Sequence, residues 1–143
     1  YVIEKGKLDG EEGNSRRAAI SNTCMQFLGA DRDHPKVIAT AEKMVNKLPR
    51  SDPDKFDFYG WYYQALGLFQ MGIKSKYWVE FNPRMKTALL STQVRTGTFK
   101  QNRGSWNPDG DPYGKNWGRV GQTAIGALML EVYYRYADAH KKK

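Results

Sequence analysis

The stretch that decides the fold runs from Gln93 to Tyr136. It begins Gln93-Val-Arg-Thr-Gly97-Thr-Phe99 and continues Gly104-Ser-Trp106-Asn-Pro-Asp109-Gly-Asp111. It closes with Gly118-Arg-Val-Gly-Gln-Thr-Ala-Ile-Gly-Ala-Leu-Met-Leu-Glu-Val-Tyr-Tyr-Arg-Tyr136. A helix leads in, a Gly-rich loop over 93–117 turns the chain, and a nearly all-apolar helix over 119–137 leaves. A loop this long inside a domain is either functional or packed by its own side chains. Phe99, Trp106 and Trp117 favour packing.

Working outward, the upstream sequence is helical throughout, with no convincing strand. Asn14 or Ser15 can cap a first helix reaching Leu28, where Gly29 stops it. Asp33-His34-Pro35 opens a second helix, with Pro35 at its first position. Val37, Ile38, Ala41, Met44, Val45 and Leu48 form its apolar stripe, and Pro49 ends it. The third helix, Phe58 to Met71, is apolar on every side and predicts burial all round. Asn82-Pro83 reads as the start of a fourth, which puts Met85, Ala88 and Leu89 on one face. Residues 75–81 add at most a separate helical turn. Amphipathic helices thus alternate with apolar ones, the pattern of an inner and an outer layer built from helix pairs. Ala65-Leu66-Gly67 is echoed by Ala124-Ile125-Gly126, a weak internal repeat.

Composition narrows the class. The 143 residues suit one domain with a real core, and 40% hydrophobic with 13% aromatic content argues for a globular chain. The first residue is Tyr1, so the expectation is a processed or partial chain. The net charge of +8 comes from 23 basic and 15 acidic residues, with three lysines in the tail Lys141 to Lys143. The remaining basic residues are scattered, so nucleic-acid binding is not expected. No apolar run is long enough to span a bilayer. The single cysteine, Cys24, rules out an internal disulfide and reads as a buried, inert thiol.

These features resemble the prenyltransferase/squalene-oxidase repeat superfamily, an all-α family that folds as an α/α toroid of terpenoid cyclase/protein prenyltransferase type. Its signature ends an outer helix with a basic residue, aliphatic residues, then Gln-x-x-x-Gly-x-Trp (a QW motif). Arg84 fits the basic position, Leu89 the aliphatic one, Gln93 the Gln and Gly97 the Gly. Phe99 stands where Trp is usual, and Met85 and Ala88 depart from the pattern. Gln101, Gly104 and Trp106 look like a second, shortened copy. Trp61-Tyr62-Tyr63, Gly104-Ser-Trp106 and Leu130-Glu-Val-Tyr-Tyr-Arg-Tyr136 are similar to squalene-cyclase-like repeat proteins of the bacterial planctomycete-type branch. The resemblance covers about 14–137. It implies a partial toroid of about five helices in helix hairpins, the C-terminal portion of a larger toroid. Residues 1–13 would be an arm or linker and 138–143 a basic tail. It also implies an envelope-associated or exported parent. Physically, a Gln past a helix end can bond exposed backbone groups, the Gly allows positive φ, and the aromatic packs on the next helix. Such residues tie repeats together; they do not catalyse.

Chemistry is sparse. The Asp-x-Asp-Asp acid of the cyclases has no counterpart. The nearest run, Ser51-Asp52-Pro53-Asp54-Lys55-Phe56-Asp57, reads as a helix-start turn. The zinc set of the prenyltransferases is missing, since Cys24, His34 and His140 are far apart in sequence. Asn107, Asp109 and Asp111 have the alternation of a calcium loop, but Pro112 and Gly118 occupy the Gly and Glu positions. An Asx-turn network is the preferred reading. Tyr59, Trp61, Tyr62, Tyr63, Tyr133, Tyr134 and Tyr136 are candidates for an aromatic cleft or an interface, with core packing as the bland alternative.

The sequence therefore predicts a non-catalytic scaffold or interaction module of a larger repeat protein, with no catalytic residue and no cofactor. Its expected partners are upstream repeats of the parent, a second copy or another subunit. A fragment of a cyclase-like enzyme whose acid lies elsewhere is the alternative. Ligand or glycan binding in an aromatic cleft is the third reading.

Overall fold

The structure is a computed structural model. It describes residues 11–52, 55–97 and 99–136, the first four of these as backbone only. The arm over 1–10, Pro53, Asp54, Thr98 and the tail from 137 lie outside the described residues. Among the described residues there are six α-helices, one 3-10 turn and no strand. The helices are α1 (Glu11–Phe27), α2 (Pro35–Val45), α3 (Phe58–Gln70), α4 (Lys76–Thr92), α5 (Gly114–Leu130) and α6 (Val132–Arg135).

The elements begin and end for local reasons. Helix α1 starts before the expected Asn14 or Ser15 cap. It closes at Gly29, whose φ of 95° lets Ala30 N–H reach back to Met25 O at 2.9 Å. His34 caps α2, accepting from Lys36 N–H through Nδ1 with Pro35 at the first position. Asp57 caps α3 by accepting Gly60 N–H at 3.0 Å.

Helix α4 corrects the sequence reading. It is one helix capped by Ser75, and Pro83 lies inside it. Tyr77, Trp78, Phe81, Met85, Ala88 and Leu89 are all buried, so a single face holds both halves against the core. Pro83 cannot donate to the Val79 carbonyl. Both residues are exposed, so water can take that carbonyl.

Helices α1, α3 and α5 form one layer, with α3 between the other two; α2 and α4 touch each other and cover α1 and α3 from the other side. Phe58, Leu68, Phe69, Phe81, Met85 and Leu89 are fully buried where the layers meet. Amide side chains stitch the helices together. Asn22 Nδ2 donates to Val37 O, and Gln26 Nε2 donates to Gly67 O, both at 2.9 Å.

A second correction concerns α5. The sequence predicts burial on all sides, but its buried residues are only Gly114, Gln122, Gly126 and Met129. Val120 is 85% exposed. The helix bends at Gly118 (φ 63°, ψ −170°), breaks at Glu131 and resumes as α6. The reason is position: α5 packs chiefly on α3 and on α6, and neither α2 nor α4 covers it to a comparable extent.

Candidate functional site

The repeat-motif segment forms a knot after α4. Gln93, the C-cap residue of α4, donates from Nε2 to Gly104 O at 2.9 Å. Val94 N–H donates to Ser105 O at 2.9 Å, and Gly104 N–H returns to Val94 O at 2.7 Å. The excursion 95–103 is thereby pinched off at its base. Gly97 (φ 136°) and Gly104 (φ 84°) both occupy backbone conformations that side chains resist.

Trp106 anchors this knot. It is 2% exposed, and its indole Nε1 donates to Leu89 O at 2.8 Å. Its backbone N–H donates to Thr123 Oγ1 on α5. The ring lies on Gly126, where an added Cβ would come within 2.9 Å of it. Phe99, which holds the Trp position of the first motif copy, is 63% exposed, so Trp106 alone does the packing expected of both aromatics. Leu89 is buried; Arg84 and Gln101 are exposed.

A second knot joins the start of α3 to the loop before α5. Asp111 is buried and accepts Phe58 N–H at 2.7 Å, Tyr113 N–H at 2.9 Å and Gln122 Nε2 at 3.3 Å. Asn107 Nδ2 donates to Asp109. The 107–111 run is an Asx network, with N–H donors aimed at the carboxylate a cation would need. Among the described residues no group of three His, Cys, Asp or Glu could hold a metal ion. Beside this knot, Arg16 Nε contacts both Asp57 oxygens at 2.8 and 2.9 Å. Burial pushes the Asp57 carboxyl above the usual range, against the opposing pull of Arg16 and the Gly60 N–H.

The seven aromatic candidates separate. Trp61 enters the core against Phe56 and Phe58. Tyr133 packs on Phe69 and Trp78 and donates its hydroxyl to Asn82. Tyr136 meets Phe27, and Tyr134 is 85% exposed. Tyr59, Tyr62 and Tyr63 stay together as a half-buried ridge on α3. Tyr113 and Trp117 extend it from Tyr59, with centroids 5.1 and 6.3 Å away. Burial, then Tyr59, pushes the Tyr63 phenol up. Cys24, expected to be buried, is exposed on α1. It lies in an exposed stripe with Arg17 and Ser21, spaced to share one helical face, and Leu28 just past the helix end is exposed as well.

Asp57 and Asp111 organise more of this end of the molecule than any aromatic. The sequence reading placed Asp57 in a helix-start turn and Asp111 in an Asx-turn network, with a calcium loop as the less favoured reading. The available signal was Asp57 directly before the aromatic that opens α3, and Asp111 two residues before the Tyr113 that precedes α5. No family model, curated protein or solved structure matches the chain.

Proposed function

We propose that the chain is a non-catalytic module of an α/α toroid, built from repeats of the squalene-cyclase type, and that it works by presenting one face of its inner layer to another unit. The observation that carries this reading is the open face of the α1–α3–α5 layer. Cys24 on α1 and Leu28 just past its end, the Tyr59–Tyr62–Tyr63 ridge on α3 and Val120 with Ala124 on α5 are exposed or half-exposed. Surfaces of this kind beyond about a few hundred Å² mark interfaces, and repeat arrays need cover at their ends. The two-layer packing and the Gln93–Gly104–Trp106 knot support the toroid repeat. The partner is a further repeat of the same parent, a second copy or another subunit, and the parent is an exported or envelope protein.

The alternative is a fragment of a cyclase-like enzyme. Asp57, with its raised pKa, is the one carboxyl that invites it. Its geometry is that of a cap: it accepts Gly60 N–H and pairs with Arg16, so its oxygens are already engaged in holding the start of α3. Incubating the purified chain with squalene or prenyl diphosphates, with and without zinc, tests the choice. No turnover is expected. Turnover abolished by replacing Asp52, Asp54 or Asp57 would establish the enzyme instead.

A further inference from the structure

Between Glu80 and Asp109 the chain has no acidic residue and five basic ones, Arg84, Lys86, Arg95, Lys100 and Arg103. All five are exposed. Among the described residues none of them is within salt-bridge reach of a carboxylate. Their contacts are with neutral groups. Arg95 Nη2 donates to Leu90 O at 3.1 Å, and Lys86 Nζ lies 4.7 Å from the centre of the Tyr133 ring.

The knot after α4 gathers three of these cations around one aromatic residue. Phe99, Lys100 and Arg103 belong to a single 3-10 turn, in which Asn102 N–H donates to Phe99 O at 3.0 Å and Arg103 N–H to Lys100 O at 3.2 Å. Residues three apart in such a turn carry their side chains one above the other, so Lys100 and Arg103 share a side. Arg95 and Arg103 flank the point where Gly104 N–H meets Val94 O, one on each leg of the pinch. The Arg95 guanidinium, held on Leu90 O, ties the loop to the last turn of α4. Leu90 is 43% exposed and Phe99 is 63% exposed, so apolar surface lies within the basic patch.

Like charges crowded in this way repel, and an anionic partner relieves the repulsion. The apolar part says which one. A nucleic-acid strand is held by several aromatic faces that stack successive bases, and the patch offers one ring. A folded protein must match about 800 Å² in shape. A fluid bilayer has no shape to match and admits a single inserted side chain. Lysine and arginine stems lie along apolar surface while their heads stay at the headgroups, and anionic lipids attract each such head.

We infer that this patch docks on an anionic lipid bilayer, with Arg95, Lys100 and Arg103 at the headgroups and Phe99 and Leu90 entering the interface. The contact is peripheral: among the described residues no helix is long and apolar enough to cross a membrane. It does not rest on the scaffold reading, because these residues belong to α4 and its loop and not to the open face of α1, α3 and α5.

The test is cosedimentation of the full chain with vesicles of phosphatidylcholine alone and of an equal mixture of phosphatidylcholine and phosphatidylserine. The mixed vesicles should bind at about 0.1 M salt and lose the chain at about 1 M, where charges are screened within a few Å. Phosphatidylcholine alone should bind at least about tenfold more weakly. Replacing Lys100→Ala and Arg103→Ala together should weaken binding about 25-fold, roughly fivefold for each charge at the surface. Phe99→Ala should weaken it roughly tenfold. All three sites are exposed, so thermal unfolding of these variants should match that of the parent chain. No binding to the mixed vesicles, or equal binding to phosphatidylcholine alone, would overturn the assignment. So would unchanged binding by the double variant, which would move the contact to other cations such as Lys141 to Lys143, or unchanged binding by Phe99→Ala. A single-stranded oligonucleotide that binds more tightly than the mixed vesicles at the same salt would reassign the patch to nucleic acid.

Discussion

Helices α3 and α5 carry nearly the same kind of sequence and meet different fates. Both are Gly-containing apolar helices with one internal Gln. Helix α3 has neighbours on every side but one, and Phe58, Leu68 and Phe69 are fully buried. Helix α5 comes last in the layer, and its stripe through Val120 and Ala124 faces outward. Hydropathy records what a helix would bury if neighbours were available. It does not record whether they are there. The difference between the two helices is the observation on which the proposed open-ended array rests.

Mutations at the seam between the two should have the largest effect. Trp106→Ala removes the ring that packs on Gly126 and the donor to Leu89 O. A loss of about 3–5 kcal/mol in urea denaturation is expected, as for other buried aromatic truncations. A loss within about 0.5, the range of surface sites, would mean that the loop holds without its anchor.

The contrast itself is read by a matched pair. Leu68→Ala in α3 should cost about 2–5 kcal/mol. Val120→Ala in α5 should change stability by less than about 0.5. Equal costs in the isolated chain would show that α5 is covered after all. A smaller penalty, about 1–3 kcal/mol of overpacking, is expected for Gly126→Ala, because the indole under it is held at both ends and cannot yield. A neutral result in thermal denaturation would show that the α5–Trp106 contact is loose.

The smallest effect is electrostatic and belongs to the α3 end. Burial raises the Asp57 pKa, so the folded state binds that proton more tightly than the unfolded chain. Its contribution is then fully present below the unfolded value of about 3.9 and is lost as pH rises through the folded value. Wild type should lose stability relative to Asp57→Asn between acidic and neutral pH in paired urea titrations. The opposite slope would mean that the Arg16 pair outweighs desolvation.

Much of the helical plan was legible. Local chemistry at His34-Pro35, Asp57 and Gly29 marks helix ends, and the sequence carries those signals in single residues. Pro83 misled, because a proline reads as a boundary unless the buried face on both sides of it is known. Phe99 and Cys24 misled for the reason α5 did: an apolar residue in an apolar stretch says nothing about which face has company. The polar core residues were the least legible. Asn22, Gln64, Asp111 and Gln122 are buried because their partners come from elements far along the chain. The Asn107–Asp111 alternation was read correctly as a turn network, though not as the strut that holds the first amide of α3.

The account stands or falls on the open face. Sedimentation velocity of the isolated chain at micromolar concentration, with a dye that reports exposed apolar surface, tests it most directly. The account predicts concentration-dependent association or dye binding, and a reduction of either by Val120→Asp, a change that leaves the core untouched. A stable monomer that binds no dye would contradict it. The helices would then close their own core, and the interaction module would have to be given up.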